Sequence, residues 1–523
     1  MSNTSQFESL QRQIMFSRLL AVVDEQAHVL LRTAFSPIVR ECGDLSAAIF
    51  DIQGRMLAQA VTGTPGHVNS MAESVGHFLR HFPATGMKAG DAFITNDPWH
   101  GTGHLNDFTV LTPAFKGNRL VALFACTSHL MDIGGSGLST DSTDVFMEGL
   151  YVPFMKLADQ GAINETLIGM IRANSRLPVD TVGDVYALTA CNDVAVLALT
   201  RMMDEFAIES LDALAEHIIE HSRRAVLDEI AKLPRGTWRY ELIADGYDGE
   251  PVTLRASLTV ADDGIDVDFT GSSPAVGRGI NVPLSYAKAY TSFGISCAIA
   301  AHVPNNAGSL SVVRIRAPEG CILNAQKPAP VAARHILGQM LPDVVFGCLR
   351  QAIPERIPAE GTACIWDITV RGLASDGKPY SLCITTNGGT GARPNQDGLS
   401  ATAFPSGVQG TPVEIAELEC PLVFLRKELR PDSGGKGATN GGHGQIIEVV
   451  NRENRPFEFL AALDRIDHPP RGAFGGEDGA PGMLALGSGT RLKGKGVHVI
   501  PAGETLVLMT PGGGGRGKRP SRV

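Results

Sequence analysis

The chain has 523 residues, of which 43% are hydrophobic and 19% charged, so it can bury a large core and is not a disordered polymer. Its formal net charge of −10 argues against a nucleic-acid-binding surface, and no apolar run reaches the length of a membrane span. Gly 59 and Pro 31 point to a turn-rich, strand-rich protein of about three domains.

In chain order, the N-terminus is polar and carries no signal-peptide pattern. Residues 7–33 keep a 3.6-residue apolar stripe through Leu19, Val23 and Leu30 and predict a helix. LSAAIFD, a turn at Gly54 and MLAQAV predict a hairpin, and a short helix is expected over 69–81. DAFITND and the loop PWHGTGHLN lead into a second hairpin, with strands 108–115 and 120–127. Residues 134–147 read as a long Gly/Ser/Thr loop, a type that is usually functional or mobile.

Helix is predicted over 194–232, followed by alternating strands from Trp238 to about Thr270. Helices are expected at 285–301 and 331–353, then strands and Gly-rich loops. The expected fold class is α+β, multi-domain, with mixed and antiparallel sheets flanked by helices. The domains are drawn at 1–235, 236–325 and 326–523, the first carrying the site. Nine scattered Cys without a CxxC read as free thiols of a reducing cytoplasm.

The chemistry concentrates near residues 41–132. His67, His100, His104 and His129 share this stretch with Glu41, Asp44, Asp97, Asp107 and Asp132. Imidazole with carboxylate suits Zn, Mn or Fe, whereas an all-oxygen set would suit Ca or Mg. In the second hairpin, the register of a tight turn sets Asp107 across from Ser128. A one-residue change in the loop would set it opposite His129, on one face. Glu41 and His67 fall beyond the open end of the first hairpin, so the two hairpins can converge on one ion.

Other patterns carry less. His217-Ile-Ile-Glu220-His221 has inverted-zincin spacing but lies on a charged helix. Gly512–Lys518 approaches a phosphate-binding loop, but Arg519 stands where Ser or Thr is required. The loop from Asp432 to Gly444 reads as plain Gly-rich chain rather than an anion nest. Cys42 reads as a buried thiol rather than a nucleophile.

RECGDLSAAIFD, NDPWHGTGHLNDFTVLTPAF, SHLMDIGG, EGLYVPFMKL, PDSGGKGATNGGHG and TPGGGG, in this order, resemble the hydantoinase B/oxoprolinase family. The resemblance implies one subunit of an ATP-dependent enzyme that opens cyclic amides such as hydantoins, 5-oxoproline or lactams. It also implies an A-type, actin-like ATPase partner in an α2β2 assembly. That partner would use the ATP to phosphorylate the carbonyl oxygen. Related subunits serve acetone and acetophenone carboxylases, so a ketone carboxylase is the alternative, and a purely structural subunit a further one.

Carried over by motif, the ligands of a divalent metal are His104, Asp107 and His129, with Glu41 as the fourth. Asp44 or His67 would accept a proton. Where the family loop reads Tyr-Leu-Gly-Gly-Thr-His, this chain reads Trp99 to His104. The additional His100 is expected to shape the pocket or support the ligands.

Overall fold

The computed structural model describes residues 3–519, with side chains from Leu10 onward. It is an α+β fold of four sheets. The first sheet contains β1 (Leu45–Phe50), β2 (Met56–Gln59), β3 (Ala92–Thr95), β4 (Asp107–Lys116), β5 (Arg119–His129), β6 (Met155–Asp159) and β7 (Ala162–Ile163). Their order is β2-β1-β5-β4-β3-β6-β7, with antiparallel pairing throughout.

Both faces of this sheet are covered, which is why β1 is buried at every position rather than at alternate ones. Ala47 and Ile49 face one core with the helix Asn3–Thr33, while Ala48 and Phe50 face another with the helix Pro65–His81. The latter helix starts four residues before its expected position, because Pro65 fits the first helical turn.

The helical stretch expected over 194–232 is two helices, Pro178–Glu205 and Asp212–Ile230. A turn with Ala207 at φ 51° separates them. Pro178–Glu205 is long and apolar enough to cross a membrane by length and composition, although its continuous apolar runs are short. In this fold it packs against Asn3–Thr33 and strands β4 and β5, burying Val185, Leu188, Ala195 and Leu199.

The second sheet pairs β8 (Gly236–Tyr247), β9 (Glu250–Ala261) and β10 (Gly264–Asp268) as antiparallel neighbours and adds β11 (Val313–Arg316) in parallel to β10. The remaining strands are β12 (Ile368–Leu373), β13 (Pro379–Ile384), β14 (Leu422–Leu429), β15 (Gln445–Asn451), β16 (Phe457–Ala462), β17 (Met483–Leu486), β18 (Lys495–Ile500) and β19 (Thr505–Met509). They form two sheets, β13-β12-β16-β18 and β14-β15-β19-β17. One apolar cluster draws buried residues from Val226 to Leu508, on both sides of residues 235 and 325.

The glycine-rich segments form a bundle of main chains rather than a phosphate loop. Successive amides of Gly512, Gly513, Gly514 and Gly515 donate to the carbonyls of Ala480, Gly442, Glu360 and Glu477. The direction returns to the same neighbouring segment after three residues, the period of a polyproline II-type helix. Packing is so close that a Cβ on Gly513 would lie 1.9 Å from the Thr390 carbonyl oxygen. These amides are spent on main-chain carbonyls, which removes them from anion binding.

Candidate metal centre

The β4–β5 hairpin sets the geometry. Near its turn, Lys116 pairs with Arg119 and Phe115 with Leu120, but Ala114 pairs with Ala122. This bulge shifts the register by one residue, so Asp107 lies opposite His129 rather than Ser128. His104, three residues earlier, closes over the same end. His104 Nε2 is 2.7 Å and His129 Nδ1 3.1 Å from Asp107 Oδ1. One ligand atom from each of the three buried residues lies within 4.8 Å of the others.

The tautomer of His104 shows what this arrangement suits. Its Nδ1 is 2.9 Å from the Ala332 carbonyl oxygen, which can only accept, so Nδ1 carries the proton. Nε2 then presents a bare lone pair to a carboxylate oxygen. Burial and Arg334 push His104 down to about 4 against the pull of Asp107, so at neutral pH no imidazolium proton bridges them. Two acceptors 2.7 Å apart repel unless a cation lies with them. The buried Nε2 of His129 has no hydrogen-bond partner either. Imidazole and carboxylate donors of this kind fit a divalent transition ion.

Asp107 is the hub. Its Oδ2 accepts from His67 Nε2 at 2.9 Å and from Arg334 Nη2 at 2.5 Å. Burial alone would raise its carboxyl, but His104, His67 and Arg334 hold it well below the usual range. His67 enters from the first turn of Pro65–His81, with Nδ1 3.5 Å from Asp44 Oδ1. Burial would lower its basicity, but Asp107 and Asp44 outweigh it and raise it. Arg334 is further fixed by Nε on the Thr102 carbonyl at 2.8 Å and by stacking 4.1 Å from the Tyr286 ring centroid.

A cavity of about 40 Å³ opens beside these groups, lined by Asp44, His67, His104 and His129. The lining also draws on the second half of the chain, including Arg334, His335 and Asp367. Burial, with Asp44 nearby, pushes Asp367 up to about 7, and its Oδ1 has no partner. Burial and the neighbouring Arg334 hold His335 neutral, well below the usual histidine range.

Two expected site residues are not brought to the cavity. Glu41 caps the short helix Pro37–Arg40 and accepts from Arg40 Nε at 2.8 Å at the surface. Gly43, at φ 67°, turns the chain there, so that Asp44 rather than Glu41 faces inward. His100 is half exposed, packed on His77 with ring centroids 4.1 Å apart and with Nδ1 3.4 Å from Asp97 Oδ2.

Arg334, His335 and Asp367 were not expected from the sequence. A signal existed in Arg334-His335, an arginine and a histidine side by side inside the apolar run VAARHILG. Elsewhere, Glu220 pairs with Arg223 and Arg224, as expected for a charged helix face between His217 and His221. Burial raises the Cys42 thiol, which lies 3.1 Å from Thr411 Oγ1 and is not poised as a thiolate.

Comparison with known proteins agrees with this architecture. A protein of Pseudomonas sp. strain NS671, provisionally described as the B-type component of a D-/L-hydantoinase, is 29% identical over 97% of this chain and 89% of its own length. The 5-oxoprolinase 1 of Arabidopsis thaliana is 27% identical over 97% of this chain, which spans 42% of that longer protein. Among solved structures, the ATP-dependent caprolactamase of Pseudomonas jessenii superposes with a TM-score of 0.91 at 24% identity, covering 98% of this chain and 91% of that one. A nucleotide-free acetone carboxylase shares the fold at a TM-score of 0.84 and 19% identity, over 98% of this chain and 76% of that one. The profile of the hydantoinase B/oxoprolinase family matches residues 8–519, and the chain belongs to that family.

Proposed function

We propose that this chain is the metal-holding subunit of an ATP-dependent cyclic amide hydrolase acting on a hydantoin, 5-oxoproline or a lactam. The observation that carries the reading is the lone pair of His104 Nε2 facing Asp107 within a buried His-Asp-His cluster. His104, Asp107 and His129 would hold a Zn, Mn or Fe ion, with Asp44 at the cavity wall as a further oxygen donor or a base. The ion supplies Lewis-acid activation of water or of a carbonyl oxygen.

The chain's own residues do the rest. Arg334 and His67 neutralise Asp107 and fix its direction. Asp367, which keeps its proton to about pH 7, can give it to the ring nitrogen as the C–N bond breaks. That proton matters because an amide nitrogen does not leave as an anion.

The ATP is used by an A-type partner, in an assembly read as α2β2, to make the carbonyl a better electrophile. Glycine amides engaged with main-chain carbonyls support the absence of a nucleotide site on the Gly-rich segments. Nine unpaired thiols and the use of ATP suit the cytoplasm. The fold shared with acetone carboxylase favours a second reading, ATP-dependent ketone carboxylation.

The test is turnover by the chain co-purified with its A-type partner, given ATP and each cyclic amide. Ring-opened product formed without bicarbonate supports the hydrolase. Carboxylated product that requires bicarbonate and a ketone supports the second reading. Full activity of a metal-free His129→Ala protein overturns both.

A further inference from the structure

The long loop of residues 134–150 leads to a buried acid that the reaction scheme does not use. Its last turn is the short 3-10 helix Val145–Met147, capped by Asp144, whose carboxylate accepts from the amides of Phe146 at 2.9 Å and Met147 at 3.2 Å. Glu148 follows and is 1% exposed. Its Oε1 accepts from two consecutive amides, Val331 at 2.6 Å and Ala332 at 2.9 Å. The Val145 amide, donating to the Pro328 carbonyl at 3.0 Å, ties the same two segments together.

The segment held in this way faces the cluster. The Ala332 carbonyl accepts from His104 Nδ1, and two residues later Arg334 reaches Asp107 and the Thr102 carbonyl. One side of the Ala332 peptide chain is thus fixed by Glu148, and the other fixes the tautomer of His104. If the segment moved, Nδ1 would lose its acceptor and Nε2 its obligatory role as the lone-pair donor.

Resting on the reading of His104, Asp107 and His129 as a metal centre, we propose that Glu148 is a positioning residue. It acts through the main chain of Val331 and Ala332 to hold His104 in its ligating tautomer. Outer-shell partners of ligating histidines commonly change metal affinity by about 10–100-fold. What acts here is an acceptor oxygen at a fixed distance rather than a negative charge. Burial pushes Glu148 up to about 8 despite the two amides, so it is largely protonated at neutral pH. Glutamine therefore mimics it, while aspartate, one methylene shorter, keeps the acid but loses the reach.

The experiment is a zinc titration of the full chain, stripped by chelator, against a chromophoric competitor. Nitrogen-15 NMR of labelled histidine, with His104 assigned by its loss in His104→Asn, reads the tautomer in the metal-free chain. Glu148→Gln is expected to bind zinc within about 3-fold of the unsubstituted chain and to keep the Nδ1–H tautomer. Glu148→Asp is expected to bind about 10–100-fold more weakly, with His104 in mixed tautomers.

Unchanged affinity and tautomer in a folded Glu148→Asp chain would overturn the proposal. So would a tenfold loss in Glu148→Gln, which decides the matter even if the aspartate variant does not fold. An unsubstituted chain that binds no zinc overturns the metal reading itself, and the tautomer measurement still separates that failure from a failure at Glu148.

Discussion

Replacing Asp367 by Asn should make the metal-free protein more stable at high pH than at low pH relative to the unsubstituted chain. The side chain is buried, one oxygen has no partner, and burial with Asp44 nearby pushes the acid from 3.8 up to about 7. The folded protein therefore keeps a proton that the unfolded chain releases near pH 4. Below that pH both states are protonated and the acid costs nothing. As pH rises toward 7, the unfolded state gains, and the full penalty is present above about 7.

Between pH 5 and pH 8 the penalty grows by about two pK units, on the order of 3 kcal/mol. Asn has no proton to lose and escapes it. With an unfolding entropy of roughly 2 cal/mol/K per residue, this corresponds to about 3 °C in Tm for a chain of this length unfolding cooperatively. Thermal unfolding of both proteins in chelator should show the Asn-minus-Asp gap in Tm widening by that amount from pH 5 to pH 8. A gap that stays constant, or narrows, would show that Asp367 is ionised in the folded protein and is not the proton donor assigned to it.

Glu41→Ala should leave zinc affinity within about 2-fold in the same titration, because its carboxylate pairs with Arg40 at the surface, where ion pairs contribute little. Arg334→Met removes a partner of the fully buried Asp107 and should destabilise the metal-free chain by about 3–5 kcal/mol. Zinc should restore part of that loss, so the zinc-induced rise in Tm should be larger than in the unsubstituted chain. Gly513→Ala drives a methyl into the Thr390 carbonyl oxygen and should yield little soluble protein, whereas alanine at Gly169, a helical position with open space, should not; soluble yield after expression reads both.

The parts of the fold legible in the sequence were those written as local pattern. The helix Asn3–Thr33, both hairpins of the first sheet and the alternating strands β8 to β10 follow from periodicity and turn residues. The hairpin register came within one residue, and the bulge beside Phe115 that completes it has no distinctive residue to announce it. Glu41 and Asp44 could not be told apart by spacing, because a single glycine turn decides which carboxylate faces inward.

Arg334, His335 and Asp367 were out of reach for a different reason. They lie more than 200 residues from His104 in sequence and meet it only through the tertiary packing of the two halves. The glycine bundle was equally hidden, because the period-three pairing of separate segments leaves no trace beyond the glycines themselves.

The most direct measurement is anomalous diffraction from crystals of the chain grown with zinc. One strong peak is predicted within about 2.0–2.2 Å of His104 Nε2, a ring nitrogen of His129 and a carboxylate oxygen of Asp107, and it should vanish in His129→Ala. Zinc bound instead at His217 and His221, or no zinc between the two histidines and Asp107, would contradict the account.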